Sequence, residues 1–230
     1  MPFFYRKIKF ISLLKQKAVK MRARMNHPDP NVAMPADDSR LFPQFTAASH
    51  FQVSKTSKST VEKSYNLRLH QGNTEQFLQV PALKRTRRIV ADQKARSFVN
   101  TDFTYEDMQR QPVEDSEHSI GGEEDLNGVQ CWILESRPKP EAESQYSMVR
   151  SWVARDMHLA LRVDFFAGGP EPTKRYTVLQ LENIQEIWTE TKVSMEDLGS
   201  GHKTILENRS IKYNTGIPDN VFTQQALENW

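Results

Sequence analysis

From residue 51 onward the chain is a series of short runs rich in aromatic and β-branched residues, interrupted by Gly, Pro, Asn and Ser. Such runs predict antiparallel strands, because the connections between them are too short to hold the crossover helices of a parallel sheet. Gly168–Pro170 and Gly199–Gly201 predict hairpin turns. The predicted strands are Phe51–Lys55, Val61–Leu69, Glu75–Val80, Thr86–Ala91, Gln130–Ser136, Ser147–Ala154, Ala160–Phe166, Thr173–Leu181, Glu186–Met195 and Lys203–Tyr213.

Alternation within these runs predicts a sheet with one apolar face. Around the strand that begins at Ala160, Arg162 and Asp164 fall on one face. The other face carries Leu159, Leu161, Val163 and Phe165. A large antiparallel sheet has to curl, close or be covered, because a bare apolar face and open edges invite aggregation. The fold class predicted is therefore mainly β: a curled antiparallel half-barrel of about ten strands wrapped over a few helices.

Residues 1–44 differ from the rest and predict a separate lead before a domain over residues 45–230. The first 25 residues hold eight basic side chains and no acidic one, and Pro28, Pro30, Pro35 and Pro43 mark a connector after them. Apolar residues recur at helical spacing in the lead: Phe4, Ile8, Ile11, Leu14 and Ala18. Three interpretations stay open, namely a structural helix, an amphipathic helix that touches a membrane, and a mis-started export signal.

Composition and motifs argue against an enzyme. Beyond residue 25 the chain has 23 basic and 29 acidic residues, which disfavours a nucleic-acid partner. The single cysteine, Cys131, is expected to be a small buried side chain in a strand, and the six histidines show no ligand spacing. Glu123, Glu124 and Asp125 are expected in a solvated turn. With no nucleophile elbow, phosphate loop or dinucleotide fingerprint, we expect no catalytic residue, cofactor or metal.

A basic segment, Pro81–Ile89, carries four cations in five residues. Lys84 and Arg88 alternate with Arg85 and Arg87 across a strand, so at least one pair should reach water. We expect these four side chains to form an electrostatic docking surface for an acidic partner or for anionic lipid headgroups, with an ordinary solvated strand as the alternative.

A second segment, Ser97–Met108, is called the plug below. Thr104 and Asp107 have the spacing of a capping box and predict a short helix from Thr104 to Arg110. Phe98, Phe103 and Tyr105, with Met108, are available to pack beneath it. A helical turn is also predicted near Pro218–Leu227.

These two segments resemble the outer-membrane lipoprotein-sorting-like family, the relatives of the periplasmic carrier LolA. The resemblance rests on Val80–Ile89 and on the run Thr101–Asp107. Matches in the same order cover roughly residues 75–227 and include Gly128–Trp132, Tyr146–Val153, Thr204–Leu206, Tyr213–Asp219 and Val221–Thr223. The resemblance implies a curled sheet over helices with a hydrophobic cavity between them, which agrees with the predicted half-barrel.

The resemblance also implies a function. We expect a non-enzymatic carrier or sensor that binds a lipoprotein acyl chain or another lipid and passes it between cell-envelope partners. The resemblance also implies a periplasmic location. Separately, we expect a monomer that can contact a membrane peripherally. The alternative is an accessory binding protein of an inner-membrane transporter that carries no lipid itself. The residues expected to line the cavity, unless they fill a solid core, are Phe103, Trp152, Leu161, Val163, Phe165, Tyr176, Val178 and Val193.

Overall fold

The computed structural model describes residues 6–7, 49–55, 62–68, 74–80, 85–109, 111–208, 211–213 and 225. Twelve strands form within these ranges: β1 Arg6–Lys7, β2 Ser49–Lys55, β3 Glu62–Arg68, β4 Thr74–Val80, β5 Arg85–Ile89, β6 Ser116–Leu126, β7 Val129–Pro138, β8 Met148–Ala154, β9 Ala160–Phe166, β10 Lys174–Ile184, β11 Ile187–Asp197 and β12 Lys203–Glu207. Short 3₁₀ turns cover Ala91–Gln93, Phe98–Asn100, Val113–Asp115 and Pro140–Ala142.

The strands form two antiparallel sheets whose order follows the chain. One sheet runs β1-β2-β3-β4-β5, and the other runs from β6 to β12 in sequence. From β2 to β5 and from β6 to β12 each strand pairs with its successor across a short connection, including those at Gly168–Pro170 and Gly199–Gly201. Strand β1 also lies next to β12, and β6 and β12 do not pair with each other. The predicted mainly β, open antiparallel architecture is confirmed.

Apolar side chains from both sheets and from the plug meet in one cluster, which we call the main cluster. The plug contributes Phe98, Phe103, Tyr105 and Met108. The sheets contribute Leu78, Ile89, Leu134, Val153, Ala160, Val163, Tyr176, Val193, Met195 and Leu206, with Val149, Phe165 and Val178 packed against them. The plug therefore covers one face of the seven-stranded sheet, which we call the plug face.

A second cluster lies on the opposite face of that sheet. Cys131, Trp152, Ala154 and Leu161 are its buried members. Strand alternation separates Trp152 from its neighbour Val153, which belongs to the main cluster. Burial of Cys131, which is fully inaccessible in strand β7, agrees with the sequence prediction.

The structure corrects several local predictions. Glu123, Glu124 and Asp125 lie in strand β6, which alternation could not reveal because this edge strand is polar on both faces. Residues 105–108 form turns, so the helix predicted from Thr104 to Arg110 does not form. The last strand ends at Glu207 and not at Tyr213.

The predicted helices at the two ends fall mostly outside the described residues. In the lead, Arg6–Lys7 form β1, paired with β2, whereas Phe4, Ile8, Ile11, Leu14 and Ala18 lie outside. Of the turn predicted near Pro218–Leu227 only Gln225 is described, and it is helical. Within the described ranges, no helix has the length and apolar character needed to cross a membrane.

Candidate functional site

The main cluster brings together six of the eight residues predicted to line a cavity. Phe103 reaches it from the plug, and Val163, Tyr176 and Val193 reach it from neighbouring strands. Phe103 is 2% exposed, and Val163 is 1% exposed. The other two of the six are Phe165 and Val178, which pack against its edge. The plug and the plug face therefore meet along a continuous apolar contact.

Trp152 and Leu161 lie apart from the other six, in the second cluster. Between β8 and β9 the register shifts, so that Trp152 pairs with Arg162 and Val153 pairs with Ala160. Leu161 is the extra residue of this β-bulge. One extra residue in a strand shifts the alternation of its side chains by one position. Leu161 therefore lies on the face opposite Val163, although two residues that are two positions apart in a regular strand share a face.

A buried polar group, which we call the first clasp, holds the C-terminal half of the plug. The Tyr146 hydroxyl donates to Oδ1 of Asp107 at 2.6 Å, and Nζ of Lys174 donates to Oδ2 of the same carboxylate at 3.0 Å. The Lys174 ammonium also lies 3.2 Å from the Tyr146 hydroxyl oxygen. The Asp107 side chain is 2% exposed and the Lys174 side chain is 13% exposed.

The hydrogen bonds of the predicted capping box are confirmed. The backbone N–H of Thr104 donates to the Asp107 carboxylate, and the backbone N–H of Asp107 donates to the Thr104 hydroxyl.

A second clasp holds the middle of the plug on strand β12. The carboxylate of Asp102 lies 2.8 Å from Nδ1 of His202 and accepts a bond from the Thr204 hydroxyl at 2.6 Å. The backbone N–H of Asp102 donates back to that hydroxyl at 3.0 Å. Because the His202 side chain is 58% exposed, this clasp lies at the surface, unlike the first.

A third attachment joins the plug to the chain just before β8. The carboxylate of Glu106 accepts from the Ser144 hydroxyl and from the backbone N–H of Gln145, the latter at 3.1 Å. The Gln145 amide donates to the Thr104 hydroxyl at 2.9 Å. Polar bonds therefore attach the plug to β10, to β12 and to the chain before β8, whereas the part of the plug that lies in the main cluster contacts the sheet through apolar side chains.

Burial sets the electrostatics of this site. Burial, the adjacent Asp107 carboxylate and the hydrogen bond to it raise the pKa of Tyr146. Burial and the Glu190 carboxylate raise the pKa of Tyr176, which lies fully inside the main cluster. Both phenols therefore remain neutral hydrogen-bonding or packing groups. Among the described residues, no group of three or more His, Cys, Asp or Glu side chains is placed to hold a metal ion.

The predicted docking residues lie on and before β5. Lys84 falls outside the described residues, and for Arg85 the structure describes the backbone, which begins the strand. Arg87 and Arg88 are both exposed. Since β5 pairs with β4, this cationic strand lies at one end of the first sheet.

Sequence reasoning missed the two clasps on the plug. The six histidines show no ligand spacing in the sequence, and nothing in the 100-residue separation of Asp102 and His202 links the two. Tyr146 and Lys174 are 28 residues apart and meet only through the sheet. The signal that was available is the capping-box aspartate, since a carboxylate that lies among buried apolar side chains needs a partner.

Three comparisons with known proteins bear on identity. A family model described as "Uncharacterized protein" matches residues 50–229, most of the chain. No curated protein matches the chain.

Among solved structures, a DUF1329 family protein from Desulfovibrio piger is 28% identical over 78% of this chain and 83% of that one, with a TM-score of 0.69. A putative outer membrane lipoprotein-sorting protein domain from Vibrio parahaemolyticus is 22% identical over 78% of this chain and 83% of that one, with a TM-score of 0.68. The similarity of this chain to the Vibrio protein is one of fold, an open antiparallel sheet with few helices. The chain therefore belongs to the family of the matching model, and its fold is that of the outer-membrane lipoprotein-sorting-like proteins that the sequence resembles.

Proposed function

We propose that the protein is a non-enzymatic carrier or sensor that holds an acyl chain between the plug and the plug face. The observation that carries this proposal is the composition of that contact. Tyr176 and Val193 of the sheet meet Phe103 of the plug within one apolar cluster, and the polar bonds of the plug lie at its margins. Separation of the plug from the sheet would break the ion pair of Asp107 with Lys174 and would open an apolar surface on the plug face.

An acyl chain suits this contact because each buried CH₂ contributes about 0.8 kcal/mol without a specific polar anchor. Binding of the chain requires the plug to move outward, since Phe103 is almost fully buried against the sheet. The bound group belongs to a lipid or an acylated lipoprotein, which the protein passes between partners of the cell envelope. The LolA-like fold supports this choice and a periplasmic location.

Native mass spectrometry of the protein purified from an envelope fraction tests the proposal first. We expect reproducible loss of lipid-sized masses from the protein ions. A protein that is consistently empty, and that co-purifies with an inner-membrane transporter, would contradict lipid carriage and favour the accessory role.

A pair of matched variants locates the site. Phe103→Ala removes a ring from the space that the chain needs, so affinity for a fluorescently labelled stearate should rise several-fold. Trp152→Ala removes a ring of similar burial from the second cluster, and the same affinity should stay unchanged. Both truncations remove a buried aromatic ring and should lower stability by about 3–5 kcal/mol, so stability alone does not separate them. Equal affinities for the two variants would contradict the proposed site.

A further inference from the structure

The first clasp places a positive charge beside the apolar contact of the plug. Lys174 on β10 pairs in register with Phe165 on β9, and Phe165 packs against the main cluster. Residues directly opposite each other on neighbouring strands share a face, so the Lys174 side chain lies on the plug face. Its ammonium is mostly buried and pairs with the Asp107 carboxylate at 3.0 Å. The cation therefore borders the space that we assign to the acyl chain.

Tyr146 adds a hydrogen-bond donor beside this cation. Its ring packs against the Phe165 ring with centroids 4.8 Å apart, and the Lys174 ammonium lies 5.8 Å from its centroid. The backbone N–H of the next residue, Ser147, donates to β9 at 2.8 Å and holds this part of the chain on the sheet. Burial and the Asp107 carboxylate raise the pKa of Tyr146, so its hydroxyl keeps its proton. Both donors thus stay with the sheet, and their acceptor belongs to the plug.

Outward movement of the plug leaves the Lys174 ammonium and the Tyr146 hydroxyl without this acceptor. Among the described residues, Asp107 is the carboxylate within ion-pair distance of Lys174. Asp197 also pairs in register with Lys174, but its carboxylate accepts from the backbone N–H and the hydroxyl of Ser200 at 2.7 and 2.8 Å. An ammonium that loses its partner beside apolar side chains is costly unless another anion replaces that partner. The open site therefore favours a ligand that brings an anion with it.

We infer that the ligand carries one anionic group at the end of its acyl chain, and that this group replaces the Asp107 carboxylate on Lys174 and Tyr146. The inference rests on the proposed function, because it names the ligand class of that same site. A carboxylate or a phosphodiester offers two oxygens, and Asp107 now uses two, Oδ1 for the Tyr146 hydroxyl and Oδ2 for the Lys174 ammonium. Burial of the chain supplies affinity, and the charge-assisted hydrogen bonds select anionic over neutral lipids.

Two ligands that differ only in charge test the inference: stearate with a fluorophore at mid-chain, and the methyl ester of the same molecule. The ratio of their affinities is measured, because a looser plug raises both affinities and leaves their ratio unchanged. We expect the unmodified protein to bind the acid at least about tenfold more tightly than the ester, since hydrogen bonds to charged groups in a buried site contribute at least this factor.

Three variants locate the selectivity. Lys174→Met should abolish the preference for the acid, because methionine retains much of the bulk of lysine without its charge. Asp107→Ala should raise the affinity ratio several-fold, because the ligand anion then meets no competing carboxylate. The matched control is Lys203→Met, which removes another lysine that forms an ion pair, 2.8 Å from Glu196 on the face opposite the plug. The control should keep the ratio of the unmodified protein.

The outcomes separate this inference from the proposed function. Equal affinities of the unmodified protein for acid and ester would overturn the inference and leave carriage of neutral chains in place, whereas binding of neither ligand would contradict carriage itself. An unchanged ratio in Asp107→Ala would also overturn it, even if Lys174→Met does not fold, and so would a loss of the preference in Lys203→Met.

Competition for the bound acid identifies the source of the anion. Displacement by lysophosphatidylglycerol and not by lysophosphatidylcholine supports the inference with a phosphodiester headgroup. Displacement by unlabelled stearate and by neither lysolipid supports it with a fatty-acid carboxylate.

Discussion

At the scale of single residues, Asp164 is a buried carboxylate on the face of the seven-stranded sheet opposite the plug. Its carboxylate is 4% exposed and accepts bonds from Arg175 at 2.7 and 2.9 Å and from the guanidinium of Arg162. Burial by itself would raise the pKa of Asp164, but the hydrogen bonds and charges of the two guanidinium groups outweigh it and hold this pKa below its usual range. Arg162 also stacks over the Trp152 ring, 4.1 Å from its centroid, so the group joins the second cluster.

Asp164→Asn should therefore destabilise the protein by about 3 kcal/mol at neutral pH, because two guanidinium groups lose a buried partner. A carboxylate whose pKa is lower in the folded state stabilises it above the unfolded pKa of about 3.9 and loses that effect as the pH falls through the folded value. The stability difference between the protein and the variant should thus narrow as acid is added. Urea unfolding at neutral and acidic pH measures this difference.

The control is Asp156→Asn, at an exposed position. It should change the free energy of unfolding by less than about 0.5 kcal/mol. If Asp164→Asn lowers the free energy of unfolding by the same amount at both pH values, the carboxylate charge does not stabilise this face.

At the scale of elements, the plug depends on tertiary contacts. It contains one 3₁₀ turn, Phe98–Asn100, and turns at residues 105–108. Too few internal backbone bonds form to make it stable alone. Its order comes from the main cluster beneath it and from the two clasps, so a change in one clasp should affect the plug more than the sheet.

Asp107→Ala tests this dependence, since it removes the partner of both Tyr146 and Lys174. We expect the amides of residues 98–108 to exchange hydrogen much faster and labelled stearate to bind faster, because the plug opens more often. Hydrogen exchange read by mass spectrometry and stopped-flow fluorescence measure the two effects.

The control is Asp125→Ala. That carboxylate caps the β6–β7 hairpin by accepting from Gly128 and Gln130 and has no contact with the plug. Asp125→Ala should accelerate hydrogen exchange only near the β6–β7 hairpin. Uniform acceleration throughout the sheet in Asp107→Ala would indicate loss of global stability and would contradict a clasp on the plug.

Strand prediction from the sequence succeeded where one face is apolar and failed where none is. The bounds of β9 were predicted at Ala160–Phe166 and confirmed, because that strand lies in the middle of the sheet with apolar side chains to bury. Strand β6 was missed, because it has a neighbour on one side only and its side chains are exposed or half-exposed. The helix predicted at Thr104 was wrong for a related reason: its capping bonds form, but the following residues pack into the main cluster and do not continue a helix.

At the scale of the whole molecule, the seven-stranded sheet has two faces of different kinds. The plug face is apolar, and the opposite face carries a row of alternating charges across six neighbouring strands. Register places these residues directly opposite one another: Glu135, Arg150, Asp164, Arg175, Glu196 and Lys203. Cross-strand pairs of opposite charge support the sheet, and a slip of one strand by one residue would turn its charged residue toward the apolar face.

The candidate site was partly predictable for the same reason. Alternation assigned Val163, Phe165, Tyr176, Val178 and Val193 to one apolar side, and all five join the main cluster. It could not place Leu161, since a β-bulge leaves no mark in the hydrophobic pattern. Trp152 was assigned to the more apolar side of its strand, although Val149 and Val153 lie on the other side, and it belongs to the second cluster. The clasps and the charge row join residues distant in sequence and were beyond the reach of spacing alone.

The central claim is that an acyl chain lies between the plug and the plug face, and photo-crosslinking with a diazirine-labelled fatty acid tests it most directly. After irradiation and digestion, mass spectrometry identifies the labelled positions. We expect label on Phe103 and on the plug-face residues of β9 and β11, such as Val163 and Val193, and competition by unlabelled stearate. Label confined to the second cluster around Trp152, or label that stearate does not displace, would contradict the claim.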